Sequence, residues 1–375
     1  MRLLASLSEQ ADISVALLNP TDDPAPLAEA LGVRNITALR RWPSAAVKRG
    51  TALAHRWPLP AAAVYDRRIA AWVREAAGGD GAGRRAAGGR ATGGRATGGR
   101  AIVVADHVQA APYLQGAPRS VLSLQNADAA LHRDQPWPAQ PVRRIEHGWD
   151  RVTLSRLERR ALRDADVVVC VSEQDRSILR CPTAVVVPNG ADLPGAVTPV
   201  PRAGAIVFVG SLNYAPNAEA VRWWLREIGP LLPADLPALT VVGRAARAVL
   251  GDPPGLQVVS DVPDVAPYLE QASVVVVPLL SGGGSRLKLI EAMARGRPVV
   301  STSKGAEGFP VQHERELMLA DGPQAIAEAV TRVYRDPVLA QRLASAGRAF
   351  AEAYSWDALG DRFTAAVLEP ARQPT

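Results

Sequence analysis

The chain has 375 residues, room for two domains of ordinary size, and 47% hydrophobic against 21% charged residues describes a soluble globular protein. Only two cysteines, Cys170 and Cys181, are present, which excludes a disulfide scaffold, and no Cys/His cluster has zinc spacing. The net charge of +6 rests almost wholly on arginine, with lysine only at 48, 288 and 304, and it admits an anionic partner (nucleotide, phospholipid surface or nucleic acid) without choosing among them.

The opening MRLLASLSEQADIS runs into charge too early for a signal-peptide core, and no apolar run reaches the roughly 18 residues of a membrane-spanning helix. Arg2 to Gln10 reads as a helix leading to a strand at Ile13–Leu18. Doubly wound domains commonly open with a strand and a glycine-rich turn, so the expectation is that a first strand and its loop are missing here. Residues 40–74 mix Trp42, Trp57, Tyr65 and Trp72 with arginines, a composition that suits an anionic membrane interface, although Pro43, Pro58 and Pro60 interrupt any single amphipathic helix. Residues 78–100, GGDGAGRRAAGGRATGGRATGGR, repeat a Gly/Arg unit with no apolar face and no aromatic to stack on bases. They are expected to form a basic, flexible surface insertion.

Strands are then expected at Ala101–Ala105, Ser120–Leu124, Val167–Val171 and Ala184–Val187, and, after a proline- and glycine-rich break at 188–204, at Ile206–Val209, Leu239–Val242, Leu256–Val259, Val274–Val277, Pro298–Ser301 and Leu317–Ala320. Most of these runs are valine-rich and apolar throughout, as parallel strands buried on both faces are. Helical patterns such as Asn217–Leu225, Ser285–Arg295 and Gln324–Tyr334 fall between them, which implies right-handed βαβ units in doubly wound sheets. Three features read as structural. Asp164 and Asp166 sit at a helix end before a strand and are assigned to turn chemistry rather than metal binding; Cys170 is a core thiol; Trp223 and Trp224 belong to the core.

The strongest chemical signal is Val274 to Val300, VVVVPLLSGGGSRLKLIEAMARGRPVV. A buried strand ends at Pro278, and Gly282, Gly283 and Gly284 open a helix near Ser285. Free amides at a helix start attract anions, and glycine lets a phosphate approach closely. Arg286 and Lys288 fall in the first turn, where cations oppose the helix dipole unless an anion is bound. Glu291, three residues beyond Lys288, is placed to accept hydrogen bonds from a ribose diol.

These residues, with VFVGSLNYAPNAEAVRWW at 207–224, VVGR at 241–244, SDVPDVAPYLEQASVVVVPL at 260–279, KGAEGF at 304–309 and VVPNGADL at 186–193, resemble a family 4 glycosyltransferase of the GGG-(S/T)-R-L-K subgroup. The resemblance implies a GT-B fold: two Rossmann-like, doubly wound α/β domains facing across a cleft. It implies a retaining, metal-independent transfer of a hexosyl group from a nucleotide-sugar donor (UDP or GDP) to a glycan, lipid-linked or small-molecule acceptor. Arg286, Lys288 and the amides of Gly283 to Ser285 would stabilise the diphosphate leaving group, with Gly282 and Gly284 shaping the turn. By the same resemblance Glu291 would hold the ribose, Arg244 and Val262 would lie near the base, and Gly210 would begin the donor-side loop after the domain's first strand. His107, after the strand Ala101–Ala105 and beside Asp106, would be the acceptor-side catalytic residue.

Three positions depart from the family's usual pattern. Gly283 stands where many members carry the first glutamate of Glu-x7-Glu, the loop Gly210-Ser211-Leu212-Asn213 lacks their Arg and Lys, and Gln125 precedes Asn126 where relatives often carry His-Asn. The domains expected are 1–200 (acceptor side, with the 78–100 insertion), 201–355 (nucleotide-sugar side) and 356–375, a helix and tail packing back on the first. No cofactor is expected, and the setting expected is cytoplasmic, with peripheral membrane contact and nucleic-acid binding as the weaker partner classes. A non-catalytic nucleotide-sugar-binding protein, a nucleic-acid-binding protein using the Arg-Gly insertion and a nucleotide-sugar epimerase are the competing readings.

Overall fold

The computed structural model describes residues 3, 14–18, 35–39, 45–65, 67–76, 102–135, 137–283 and 286–368. The opening helix apart from Leu3, the insertion at 78–100, Trp42, the tail beyond 368, and Gly284 and Ser285 lie outside the described residues. The chain divides into two compact units, residues 1–187 with 360–375, and residues 188–359.

In the first unit, β1 (Ser14–Leu18) pairs in parallel with β2 (Asn35–Leu39). The sequence reading passed over β2, because Asn35 and Thr37 break its apolar run. A separate parallel sheet runs in the order β3 (Val103–Asp106), β4 (Ser120–Leu124), β5 (Val167–Cys170), β6 (Val185–Val186). Both β4 and β5 are buried throughout, β5 as an unbroken apolar run and β4 with Ser120 and Ser123 among its apolar residues.

The stretch after residue 45 forms three helices, α1 (Ala45–His55), α2 (Leu59–Val64) and α3 (Arg67–Ala76), with Pro58 capping α2. Two of its aromatics, both half-buried, pack within the first unit. Trp57 packs edge-on to Tyr65 at 4.8 Å, Tyr65 stacks on Tyr113 at 5.5 Å, and the Tyr113 hydroxyl donates to Val64 O at 2.8 Å. Helix α4 (Asp128–Asp134) follows β4, and the long α5 (Pro141–Asp164) buries a stripe through Thr153, Leu154, Leu157 and Ala161 at helical spacing. Beyond it, Asp166 accepts from the Ser120 backbone N–H at 2.7 Å and its hydroxyl at 2.9 Å, while Asp164 pairs with Arg160. This aspartate pair is therefore turn and strand-start chemistry. Helix α6 (Glu173–Leu179) is capped by Ser172, and Cys170 is fully buried, its thiol pushed up to about 12 by desolvation.

The second unit is one six-stranded, wholly parallel sheet, in the order β12 (Met318–Leu319), β11 (Val299–Ser301), β10 (Ala272–Val277), β7 (Ala205–Val209), β8 (Leu239–Gly243), β9 (Leu256–Ser260). The chain starts at the centre, builds outward on one side, then returns to the centre and builds on the other, which is the doubly wound dinucleotide-binding order. The crossovers are α7 (Ala215–Trp223), α8 (Ala246–Leu250), α9 (Ala266–Glu270) and α10 (Leu287–Ala294), with α11 (Pro323–Arg335) and α12 (Pro337–Glu352) after β12. Trp223 and Trp224 are buried in this core, where α7 widens into a π-turn over Trp224–Ile228. Helix α13 (Trp356–Leu368) begins in the second unit, and its residues from Gly360 group with the first.

The proline-rich segment after β6 is not free chain; it is fastened to the second unit. Arg297, 1% exposed, donates to the carbonyls of Thr198, Pro199, Glu270 and Arg295. Arg348 bridges Ala294 O and Pro194 O, and Ser273 Oγ donates to Pro201 O at 2.5 Å. A planar fork of donors satisfies several buried carbonyls at once, which the point charge of a lysine cannot do. Replacing Arg297 by methionine should remove all of these donors and cost about 2–4 kcal/mol of the second unit's stability, read as a lower urea midpoint followed by tryptophan fluorescence.

Candidate functional site

In an open α/β sheet, ligands bind beyond the carboxyl ends of the strands where the strand order reverses. Here that point lies between β7 and β10. The loop after β7 begins at Gly210, whose N–H donates to Val242 O at 3.0 Å, and Leu212 N donates to Arg244 O at 2.9 Å. A Cβ on Gly243 would collide with the Gly210 carbonyl, so the loops after β7 and β8 pack main chain to main chain. On the other flank a Cβ on Gly305 would collide with Val277 O, at the end of β10.

Lys288, in the first turn of α10, reaches back into this crossing. Its ammonium donates to Asn217 Oδ1 at 2.5 Å and lies 4.7 Å from the centre of the Phe208 ring. A Cβ on Gly210 would stand 3.1 Å from Lys288 Nζ and 2.7 Å from Asn217 Nδ2, so glycine leaves the ammonium its space. Among the described residues Lys288 has no carboxylate partner. Desolvation, helped by the neighbouring Arg286 guanidinium and opposed by Glu291, lowers it from 10.5 to about 7.

Arg286 takes a different part from the one its position implies. Helix α10 begins at Leu287, so Arg286 is the capping residue rather than a first-turn cation. Its guanidinium, with the residue only 5% exposed, turns inward. It donates to Gly283 O at 2.8 Å, Gly282 O at 2.9 Å and Lys304 O at 3.3 Å, and pairs with Glu307 at 3.3 Å; Lys304 pairs with the same glutamate at 2.6 Å. Arg286 thus ties the glycine loop to the loop after β11. Gly282 has φ +101°, and a Cβ there would lie 2.8 Å from the Tyr214 hydroxyl, so both its dihedral and its surroundings require glycine. Gly283 contributes its carbonyl to Arg286, while Ser281 Oγ donates to Glu219 at 2.5 Å.

Glu291 lies one turn beyond Lys288, with no hydrogen bond or ion pair to its carboxylate among the described residues. Burial raises its pKa, with Arg295 and Lys288 opposing and Asp192 and Asp264 reinforcing. Arg244 is exposed and Val262 half-buried, on the loops after β8 and β9. Those loops are joined by Asp261, which accepts from Ala245 N at 2.9 Å and from Ser260 Oγ at 2.5 Å. The switch point therefore gathers Gly210, Gly282, Gly283 and Lys288, with Arg244 and Val262 on the flanking loops and Glu291 along α10. Asn217 and Phe208 join them without having been singled out from the sequence. A polar residue on the buried side of the first turn of α7 was the available signal for Asn217.

His107 belongs to the first unit. It follows β3 with φ +70° and ψ 150°, a conformation costly for any residue with a Cβ, and its N–H donates to Ser123 O at 2.8 Å. Its Nε2 is 3.9 Å from Asp106, whose carboxylate accepts from Ser123 Oγ and from Gln125 Nε2, each at 3.2 Å. Gln125 is thus part of a polar cluster with Asp106 and His107. No three His, Cys, Asp or Glu side chains among the described residues gather as a metal site.

Residues 203–336, which contain the whole switch point, match the family model described as glycosyl transferases group 1. The chain is 33% identical over 176 residues to a D-inositol 3-phosphate glycosyltransferase of Streptomyces griseus, a match covering 40% of this chain and 37% of that protein. The chain spans about a third of the length of the curated relatives it matches. Its fold is that of Anabaena HepE, solved in complex with UDP-glucose (TM-score 0.64, 15% identity, 96% of this chain and 93% of that one). It is likewise that of a glycosyltransferase from Rickettsia africae (TM-score 0.61, 10% identity, 98% and 93%). The fold is thus the α/β, parallel-sheet architecture of GT-B glycosyltransferase structures.

A lysine titrating near 7 in the folded chain but at 10.5 unfolded leaves the unfolded state binding more protons between those values. The contribution of Lys288 to stability therefore rises with pH across that window. Wild type should gain urea resistance relative to Lys288→Met as pH goes from 7 to 9, and parallel curves would contradict the placement of this ammonium.

Proposed function

We propose that the chain is a retaining, metal-independent glycosyltransferase that moves a hexosyl group from a nucleotide-sugar donor, UDP- or GDP-linked, to a hydroxyl of a glycan, lipid-linked or small-molecule acceptor. The observation that carries this reading is the doubly wound switch point with an unpaired ammonium, Lys288, inside the segment that matches the glycosyltransferase family. The UDP and UDP-glucose complexes of the fold neighbours support a uridine donor in particular.

In the proposed reaction the bond between the anomeric carbon and the diphosphate oxygen breaks, and a bond to the acceptor oxygen forms. The acceptor's proton leaves with the diphosphate. Negative charge grows on the leaving oxygen, and Lys288 with the glycine-loop amides stabilises it without a metal ion. Arg286 serves by fixing the loop through Gly282 and Gly283. Glu291, its carboxylate unengaged, is assigned to the ribose hydroxyls, and Arg244 and Val262 to the surroundings of the base. His107, held with Asp106 and Gln125, is assigned to the acceptor side. A donor-binding protein without transfer activity is the second reading; Gly283, standing where many relatives have a glutamate, is what favours it.

Calorimetry against UDP-, GDP- and ADP-sugars tests the proposal. One donor should bind, with at least about tenfold loss in Lys288→Ala and no loss on adding EDTA. Transfer or slow hydrolysis of that donor, followed by NMR of the anomeric proton, would separate the enzyme from the binding protein. A folded chain that binds none of the donors would sink both readings.

A further inference from the structure

We propose that Asn217 is the positioning residue of this site, holding the Lys288 ammonium in the switch-point crossing as a cation available to a diphosphate. The inference rests on the reading of the site as a nucleotide-sugar site. Asn217 is the third residue of α7 and is 5% exposed, deep for an amide. Its backbone N–H donates to Tyr214 O at 3.0 Å, which sets the residue at the end of the loop after β7. The side chain then works in two directions. Nδ2 donates to Ser211 O at 2.8 Å, and Oδ1 accepts from Lys288 Nζ at 2.5 Å.

The orientation of this amide is forced by chemistry. An ammonium only donates and a carbonyl only accepts, so the oxygen must face Lys288 and the nitrogen Ser211. A carboxylate here would neutralise the lysine and would confront Ser211 O without a donor. Alanine would leave both groups unpaired. A neutral amide is the side chain that fixes the ammonium while leaving its charge uncompensated. The other neighbours agree. The Phe208 ring at 4.7 Å favours a cation without neutralising it, and Gly210 presents no side chain. From β7 and α7 the groups against Lys288 are Phe208, Gly210 and Asn217, none of them charged; the charged groups acting on it are Arg286 and Glu291. Its charge is therefore balanced only when an anion enters, and binding of a diphosphate near neutral pH draws a proton onto Lys288 from solvent.

The three-lysine composition makes the test direct, because each lysine can be followed by its ε-carbon signal in 13C-lysine NMR. In wild type one signal, missing in Lys288→Met, should titrate near neutral pH. In Asn217→Ala it should move down, because the buried ammonium loses its acceptor, and in Asn217→Asp it should move up through pairing. The affinity for the tighter of UDP and GDP should fall about tenfold in either variant, with the proton uptake near pH 7 lost in Asn217→Asp and kept in Asn217→Ala. Asn217→Ala should cost little further affinity in the Lys288→Met background, as coupled residues do. An unmoved lysine titration, or losses that simply add in the double variant, would overturn the proposal; Asn217→Asp, close to isosteric, decides if Asn217→Ala does not fold. A wild type that binds neither nucleotide would remove the nucleotide-sugar reading, while the lysine titration would still decide whether Asn217 governs Lys288.

Discussion

The second unit is organised around one ammonium that has no carboxylate to answer it among the described residues. Burying a charge is expensive unless something compensates, and folded chains commonly surround a buried lysine with an acid. Around Lys288 the compensation is deliberately weak: one amide oxygen and the face of one aromatic ring. Everything close to it accommodates that choice. Gly210 yields the space, the turn of α7 supplies the amide, and β7 supplies the ring beneath. The site is polarised before any ligand arrives, and an anion entering it would meet this ammonium without a carboxylate to displace among the described residues.

Three arginines of the second unit do the opposite. Arg286, Arg297 and Arg348 direct their planar forks at main-chain carbonyls and hold segments that carry no regular structure of their own: the glycine loop and the stretch after β6. This division of labour follows from the two side chains. A guanidinium stays charged and can satisfy several carbonyls at fixed angles, whereas an ammonium is a compact charge whose protonation responds to its surroundings.

What could be read in the sequence was what repeats locally. The valine runs became the buried parallel strands because burial on both faces leaves no polar alternation to confuse. The glycines before Lys288 announced a loop that needs glycine, and Gly282 bears that out in its dihedral. What could not be read was which way long side chains turn. Nothing local says that Arg286 faces inward to Glu307, a residue 21 positions on, or that Asn217 meets a lysine 71 positions away. The segment after β6 reads as a break because its prolines and glycines exclude helix and strand; its fastening comes from Arg297 and Arg348, 98 and 154 positions further along the chain than the carbonyls they reach. β2 was lost to its two polar residues.

The tight backbone contacts beside the switch point carry one more consequence. With Gly243 against the Gly210 carbonyl and Gly305 against that of Val277, the floor of the crevice is main chain on both flanks. Those two flanks cannot be reshaped by adding side chains, because a Cβ at Gly243 or Gly305 would strike main chain. Change in shape at this end of the sheet is thereby left to side chains such as those of Tyr214, Leu280 and Leu287, which stand exposed. In a lineage built on this frame, such exposed residues would be the variable alphabet, and the glycines beneath them its fixed page.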